Sequence, residues 1–122
     1  MIRVFTSKTQ TIGERGENEA VRFLKKQGFS IIERNVTNKF GEIDIVAKKK
    51  GKVHLFEVKT ARSRAGIFAA ENLTKAKLHK FFVSAEYYAL THSLKEYQME
   101  GILVTLSDNP HNVSKVEMIE LF

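Results

Sequence analysis

The chain's one acidic-x-Lys triplet, Glu57-Val58-Lys59, lies thirteen residues after Asp44, with a polar Lys49-Lys50-Gly51-Lys52 turn between them. Both flanks of that turn read as strands: Gly41-Glu42-Ile43-Asp44-Ile45-Val46-Ala47-Lys48 before it, Val53-His54-Leu55-Phe56-Glu57-Val58-Lys59 after it. A turn centred between Lys50 and Gly51 sets Lys48 opposite Val53, Val46 opposite Leu55 and Asp44 opposite Glu57, with Lys59 two residues further on the same face. Opposed side chains lie about 5 Å apart at Cβ, where like charges are destabilising. A positive group is therefore expected between the two carboxylates, and a divalent cation meets that need. Two carboxylates and an amine on one face suit a metal-dependent nuclease. The plainer reading is a cross-strand ion network, and a triplet of this kind arises about once by chance in a chain this long. Its place at a strand end, with the Asp in phase on the partner strand, is what gives it weight.

The elements that must position these groups follow from capping and periodicity. Thr11-Ile12-Gly13-Glu14 fits a capping box, opening a helix that runs to about Gln27 and ends at Gly28. Glu14 is thereby structural. Glu17 lies three, four and seven residues before Ala20, Val21 and Leu24, on the stripe expected to face the core. It needs a partner, either through the helix dipole or as an extra acid at the metal site. Residues 29–34 read as a first strand, 35–40 as a turn, and 60–68 as a polar loop carrying Arg62 and Arg64, placed to touch phosphate or merely solvated. A helix is predicted over residues 72–90, with Leu73, Ala76, Phe81, Ala85 and Tyr88 on one side. Lys77 lies among them, either snorkelling past apolar neighbours or reaching a phosphate. Phe81, Phe82, Tyr87 and Tyr88 follow helical spacing and read as core rather than as a base-stacking platform, while His79 and His92 have no ligand-spaced partner. Gly101-Ile102-Leu103-Val104-Thr105-Leu106 reads as a buried strand parallel to the Lys59 strand, and residues 114–121 as a final edge strand.

With 122 residues, 43% of them apolar, the chain makes one domain, 1–122, with one core. It has no cysteine, which excludes disulfides and thiolate metal sites and agrees with a cytoplasmic location. No run approaches membrane-spanning length, so no membrane role is expected. Twenty Lys and Arg against fourteen Asp and Glu give +6, which favours a polyanionic partner. Lys48, Lys49, Lys50 and Lys52 on the hairpin, with Arg62, Arg64 and Lys77, are the candidate phosphate contacts.

The order αβββαβ, with Asp on the second strand and Glu-x-Lys on the third, resembles the restriction-endonuclease-like PD-(D/E)xK superfamily, an α/β fold with a mixed central sheet flanked by helices. More closely, Gly16-Glu17-Asn18-Glu19-Ala20, Gly28-Phe29, Arg34-Asn35, Gly41-Glu42-Ile43-Asp44 and Phe56-Glu57-Val58-Lys59 resemble the successive motifs of the bacterial YraN-like family of predicted endonucleases, itself similar to archaeal Holliday junction resolvases. The resemblance runs from about Gly13 to Leu90. It implies an active site of Glu17, Asp44, Glu57 and Lys59, with the family's long-helix Lys at Lys77, acting on DNA, branched repair or recombination intermediates included. Asp44, Glu57 and the Val58 carbonyl would hold Mg2+ or Mn2+, Lys59 would steady the transition state, and Glu17 would orient water or complete a second metal shell. An unperturbed Lys titrates near pH 10.4, and two adjacent carboxylates are expected to push Lys59 higher, away from a role as base. The chain departs from the family in two places. Thr60-Ala61 displaces an Arg to Arg62, and Met99-Glu100-Gly101 stands where an Arg-x-Asp is common. The rival expectation is a nucleic-acid-binding or partner-docking module without catalysis. RNA in place of DNA, and a homodimer, stay open on the sequence.

Overall fold

The structure, a computed structural model, describes residues 11–62, 74–107 and 115–121. Seven elements follow in order: α1 (Ile12–Lys26), β1 (Ser30–Asn38), β2 (Gly41–Lys49), β3 (Lys52–Arg62), α2 (Lys75–Thr91), β4 (Tyr97–Leu106) and β5 (Lys115–Glu120). The strands form one mixed sheet in chain order, antiparallel throughout except that β3 and β4 are parallel across the α2 crossover. This is the αβββαβ core that the motifs imply, closed by an antiparallel edge strand.

Thr11 and Glu14 close the capping box: Glu14 N–H donates to Thr11 Oγ1 (3.0 Å) and Thr11 N–H to Glu14 Oε1 (2.9 Å). The apolar stripe of α1, Ala20, Val21 and Leu24, packs with Ile45, Ala47, Phe56 and Ile102 on one face of the sheet. On the other face, Phe81, Ala85 and Tyr88 of α2 pack with Ile43, Val46, Leu55 and Met99. Each helix thus buries one stripe against one face, and the sheet is apolar on both.

Four sequence expectations need correction. β1 does not end at Arg34 but continues through Asn38, because residues 36–38 pair with Ile43, Glu42 and Gly41 and leave only Lys39 and Phe40 as the turn. Thr60 to Arg62 are strand, not loop, because β4 offers them a ladder as far as Arg62↔Leu106. The β4 strand begins at Tyr97, four residues before the apolar run. Ala76 of the predicted apolar stripe is exposed, since α2 starts only at Lys75 behind its Thr74 cap. Leu73, at the head of that stripe, lies outside the described residues.

Candidate active site

The β2–β3 ladder runs from Lys49↔Lys52 through Val46↔Leu55 to Ile45↔Phe56 and stops there, in the register expected from the turn. The next rung would be Asp44 opposite Glu57, and it is not formed. Asp44 Oδ2 instead accepts a hydrogen bond from the Val58 backbone N–H at 2.7 Å. Backbone donors of a strand point along the sheet, so the Asp44 carboxylate lies in the opening between the strands rather than squarely above Glu57.

The cause is a break in side-chain alternation. Ile43 and Ile45, two residues apart, should share a face, yet Ile43 is buried in the α2-side cluster and Ile45 in the α1-side cluster. The β1 ladder skips the same place, passing from Arg34↔Ile45 to Val36↔Ile43. Between them Asn35 has φ 53°, a left-handed conformation that Asn tolerates better than most residues. The switch of face leaves Asp44 at the fork where β2 and β3 part.

Burial raises the pKa of both carboxylates. Asp44 is pushed up to about 6, first by loss of solvent and further by Glu17 and Glu42, against the Val58 hydrogen bond and Lys59. Glu57 is pushed up to about 7, first by loss of solvent and then by Asp44. The expectation for Lys59 is reversed: its pKa is lowered, because burial and the Lys77 side chain outweigh the attraction of Glu57 and Asp44. Lys77, exposed in the first turn of α2, therefore comes to the same site beside Lys59.

Glu17 finds its partner in Arg34, which enters the sequence pattern only as a motif residue. Arg34 Nε and Nη2 each lie 3.0 Å from Glu17 Oε1, and Nη2 also donates to Asn18 Oδ1 at 2.8 Å. Glu17, Asp44, Val58, Lys59 and Thr60 line one small cleft of about 240 Å³. Helix α1 comes this close because Gly16 has no side chain: a Cβ there would stand 1.8 Å from Thr60 Oγ1 and 2.6 Å from Thr60 Cβ. Gly16→Ala should therefore lose about 1–3 kcal/mol of stability by overpacking and shift Glu17 away from Asp44. A urea melt checks the first effect, and a double-mutant Gly16→Ala/Thr60→Ala that regains part of the loss checks its cause. Arg34 and Glu42 stand in the sequence motifs beside Asn35 and Asp44, with no pattern of their own that marks either as part of the site.

The other named residues fall elsewhere. Lys48 and Lys49 are four and five residues from Asp44 along β2, roughly 13 Å or more, and Lys50 lies in the turn beyond them. Lys49 and Lys52 also have contacts within the chain, the first 5.2 Å over the Phe29 ring and the second 3.3 Å from Gln98 Oε1. Arg62 is the exposed last residue of β3, three beyond Lys59. Arg64 lies outside the described residues. Glu100, the middle residue of the Met99-Glu100-Gly101 departure, is 8% exposed and pairs with His54 across the parallel β3–β4 ladder. Among the described residues no helix is long and apolar enough to cross a membrane.

The comparisons with known proteins cover this region. A UPF0102 protein of Nitratiruptor sp. is 37% identical over 98 residues, spanning 80% of this chain and 85% of that one. A UPF0102 protein of Helicobacter pylori is 41% identical over 87 residues, 71% of this chain and 74% of that one. Among solved structures, a chain in "Structure of EndoMS-dsDNA2 complex" is similar at TM-score 0.45 and 12% identity, over 80% of this chain and 38% of that chain. The Uncharacterised protein family UPF0102 matches residues 16–108, from the close-packed glycine of α1 through both forked strands to the end of β4. With relatives this similar over most of their own length, the chain belongs to the UPF0102 family, the YraN-like group its motifs resemble.

Proposed function

We propose that this protein is a metal-dependent endonuclease that hydrolyses phosphodiester bonds in DNA. The observation that carries the reading is the pair of half-buried carboxylates at the fork, Asp44 and Glu57, held by burial and by neighbouring acids above the ordinary carboxylate range. Two acids that burial holds against ionisation are a poor structural device and a good receptor for a hard cation. Val58 adds a third oxygen: its N–H points to Asp44, and in a strand the N–H and C=O of one residue point to the same side. The donor set of this reading is two carboxylates and a carbonyl, with water to complete it. Such a set fits Mg2+ or Mn2+, which keep several waters and need few protein ligands.

The bound cation would supply Lewis acidity and an acidified water. The chain's own groups do the rest. Asp44 and Glu57 are ligands as carboxylates. Lys59 in the cleft, with the Lys77 side chain beside it, places positive charge against a phosphate and stabilises the charge that develops as the bond breaks. Glu17, held by Arg34, accepts a hydrogen bond from the attacking water and fixes its direction. The net charge of +6 draws the polyanion in.

Met99 and Gly101, both buried on β4 at the two ends of the place where an Arg-x-Asp is common, favour one second reading, a DNA-binding module that does not cleave. Incubation with linear, flapped and four-way DNA in Mg2+, Mn2+ or EDTA separates the two. Cleavage in Mg2+ or Mn2+ and none in EDTA is expected; binding of all three DNAs with no cleavage under any condition supports the module.

A further inference from the structure

The β1–β2 turn ends in an aromatic surface that the site does not use. Phe40 is 41% exposed and meets Tyr87 of α2 edge-on, ring centres 5.3 Å apart at 64°. The Lys39 ammonium lies 5.3 Å from the centre of the Phe40 ring and 5.5 Å from that of Tyr87. An apolar groove of about 390 Å³ runs on from these rings past Val83 and Leu90, with Glu86 as its one acidic residue. Nothing about the turn's own fold demands the exposed ring. Asn38 already pins the hairpin, donating to the Ser84 carbonyl at 3.1 Å and accepting from the Phe40 N–H at 3.0 Å. Gly41 lets the strand lie directly on α2, since a Cβ there would stand 2.7 Å from Ser84 Oγ.

The turn leads into the strand that carries Asp44. Phe40, just before β2, is four residues from Asp44, roughly 13 Å of extended chain, and Tyr87 and Lys77 are ten apart on α2, roughly 15 Å. A strand of stacked nucleotides advances about 3.4 Å per step, so about four or five nucleotides span the gap. Resting on the nuclease reading, we infer that Phe40 is a stacking platform for an unpaired base of the DNA strand that enters the fork, with Lys39 on the neighbouring phosphate. Exposed aromatic faces beside cations are what single-stranded nucleic acid binds, because every base has a π-face and every step a phosphate. Bases inside a duplex are stacked already and cannot use the ring. The substrate class is therefore DNA with an unpaired segment next to the cleaved bond: a flap, fork or gap rather than a continuous duplex. Glu86 repels a phosphate path along the groove and leaves the Lys39 side as the route.

The test is binding in EDTA, where nothing is cleaved, of labelled single-stranded, flapped and blunt-duplex DNA. Phe40→Leu keeps an apolar side chain on Tyr87 and removes the π-face. It should weaken single-stranded and flapped DNA about 5- to 150-fold and blunt duplex less than twofold, while Phe40→Tyr binds like wild type. Lys39→Gln should lower the salt slope on single strands by about 0.7. A 2-aminopurine in the flap should be quenched by wild type and not by Phe40→Leu, a readout that a change in fold stability does not mimic. Equal weakening on all three DNAs, or none, overturns the platform. A dimer in sedimentation that Phe40→Leu dissolves, with DNA binding intact, overturns it in favour of a second copy on this groove. Wild-type protein that binds no DNA at all brings down the nuclease reading itself, whereas duplex binding without the Phe40 effect brings down the platform alone.

Discussion

Glu57→Gln should abolish metal-dependent cleavage, lowering the rate on the order of 10³-fold or more, while leaving DNA affinity within about twofold. The amide matches the carboxylate in shape but gives a hard cation no charge to bind. Lys59→Met should cost on the order of 10²- to 10³-fold, the usual effect of removing one group that stabilises charge in the transition state. Lys77→Met should cost less, since Lys77 is exposed and Lys59 half-buried and solvent screens an exposed charge more. Single-turnover rates at saturating protein, with affinities measured in EDTA, separate these chemical effects from binding. Cleavage by Glu57→Gln at the wild-type rate would remove Glu57 from the site.

The second expectation concerns stability and has an unusual sign. Asp44 and Glu57 have folded pKa values raised to about 6 and about 7, above the ordinary 3.8 and 4.5. Acids shifted upward are held neutral by the fold, so their contribution is fully present below the ordinary values and is lost as pH rises through about 6 and 7. Metal-free protein should therefore lose stability between about pH 4 and pH 7, on the order of 3 kcal/mol for each acid as an upper figure, because the two are coupled. Asp44→Asn should raise the Tm of metal-free protein at about pH 8 by roughly 5 °C, since the amide oxygen still accepts from Val58 and the repulsion with Glu57 and Glu17 is gone. The same change should erase most of the stabilisation that Mn2+ gives wild type. An ion network of Lys59 with its acids predicts the opposite, a destabilised Asp44→Asn. Melts at both ends of that pH range, with EDTA and with excess Mn2+, distinguish the two signs.

Much of this site is legible in the sequence. A polar turn between two period-two runs sets the register, and Val46↔Leu55 and Lys48↔Val53 follow from it. The crossover from β3 to a parallel β4 follows from the long helix between them. What alternation could not show is its own failure. Carried through Asp44 without interruption, it puts that carboxylate squarely over Glu57, and only the left-handed Asn35 on the neighbouring strand reveals the break. Asn35 reads instead as the start of a turn, which is also why β1 looks four residues too short. Thr60-Ala61-Arg62 has no strand pattern of its own and is strand only because β4 pairs with it. The Lys59 shift fails for a related reason. Two nearby acids are visible in the sequence, but burial and an amine from α2, eighteen residues away, are not.

Calorimetric titration of Mn2+ into metal-free protein at about pH 6.5, in two buffers of different ionisation heat, tests the central claim most directly. With folded pKa values of about 6 and about 7, the two acids together carry about one proton at that pH, and a cation that takes both as ligands must expel it. Wild type should bind with a buffer-dependent heat equal to release of about one proton, and Asp44→Asn and Glu57→Gln should each lose both the binding and the release. Binding with a heat that is the same in both buffers, or that survives in Glu57→Gln, would contradict a metal held at the fork.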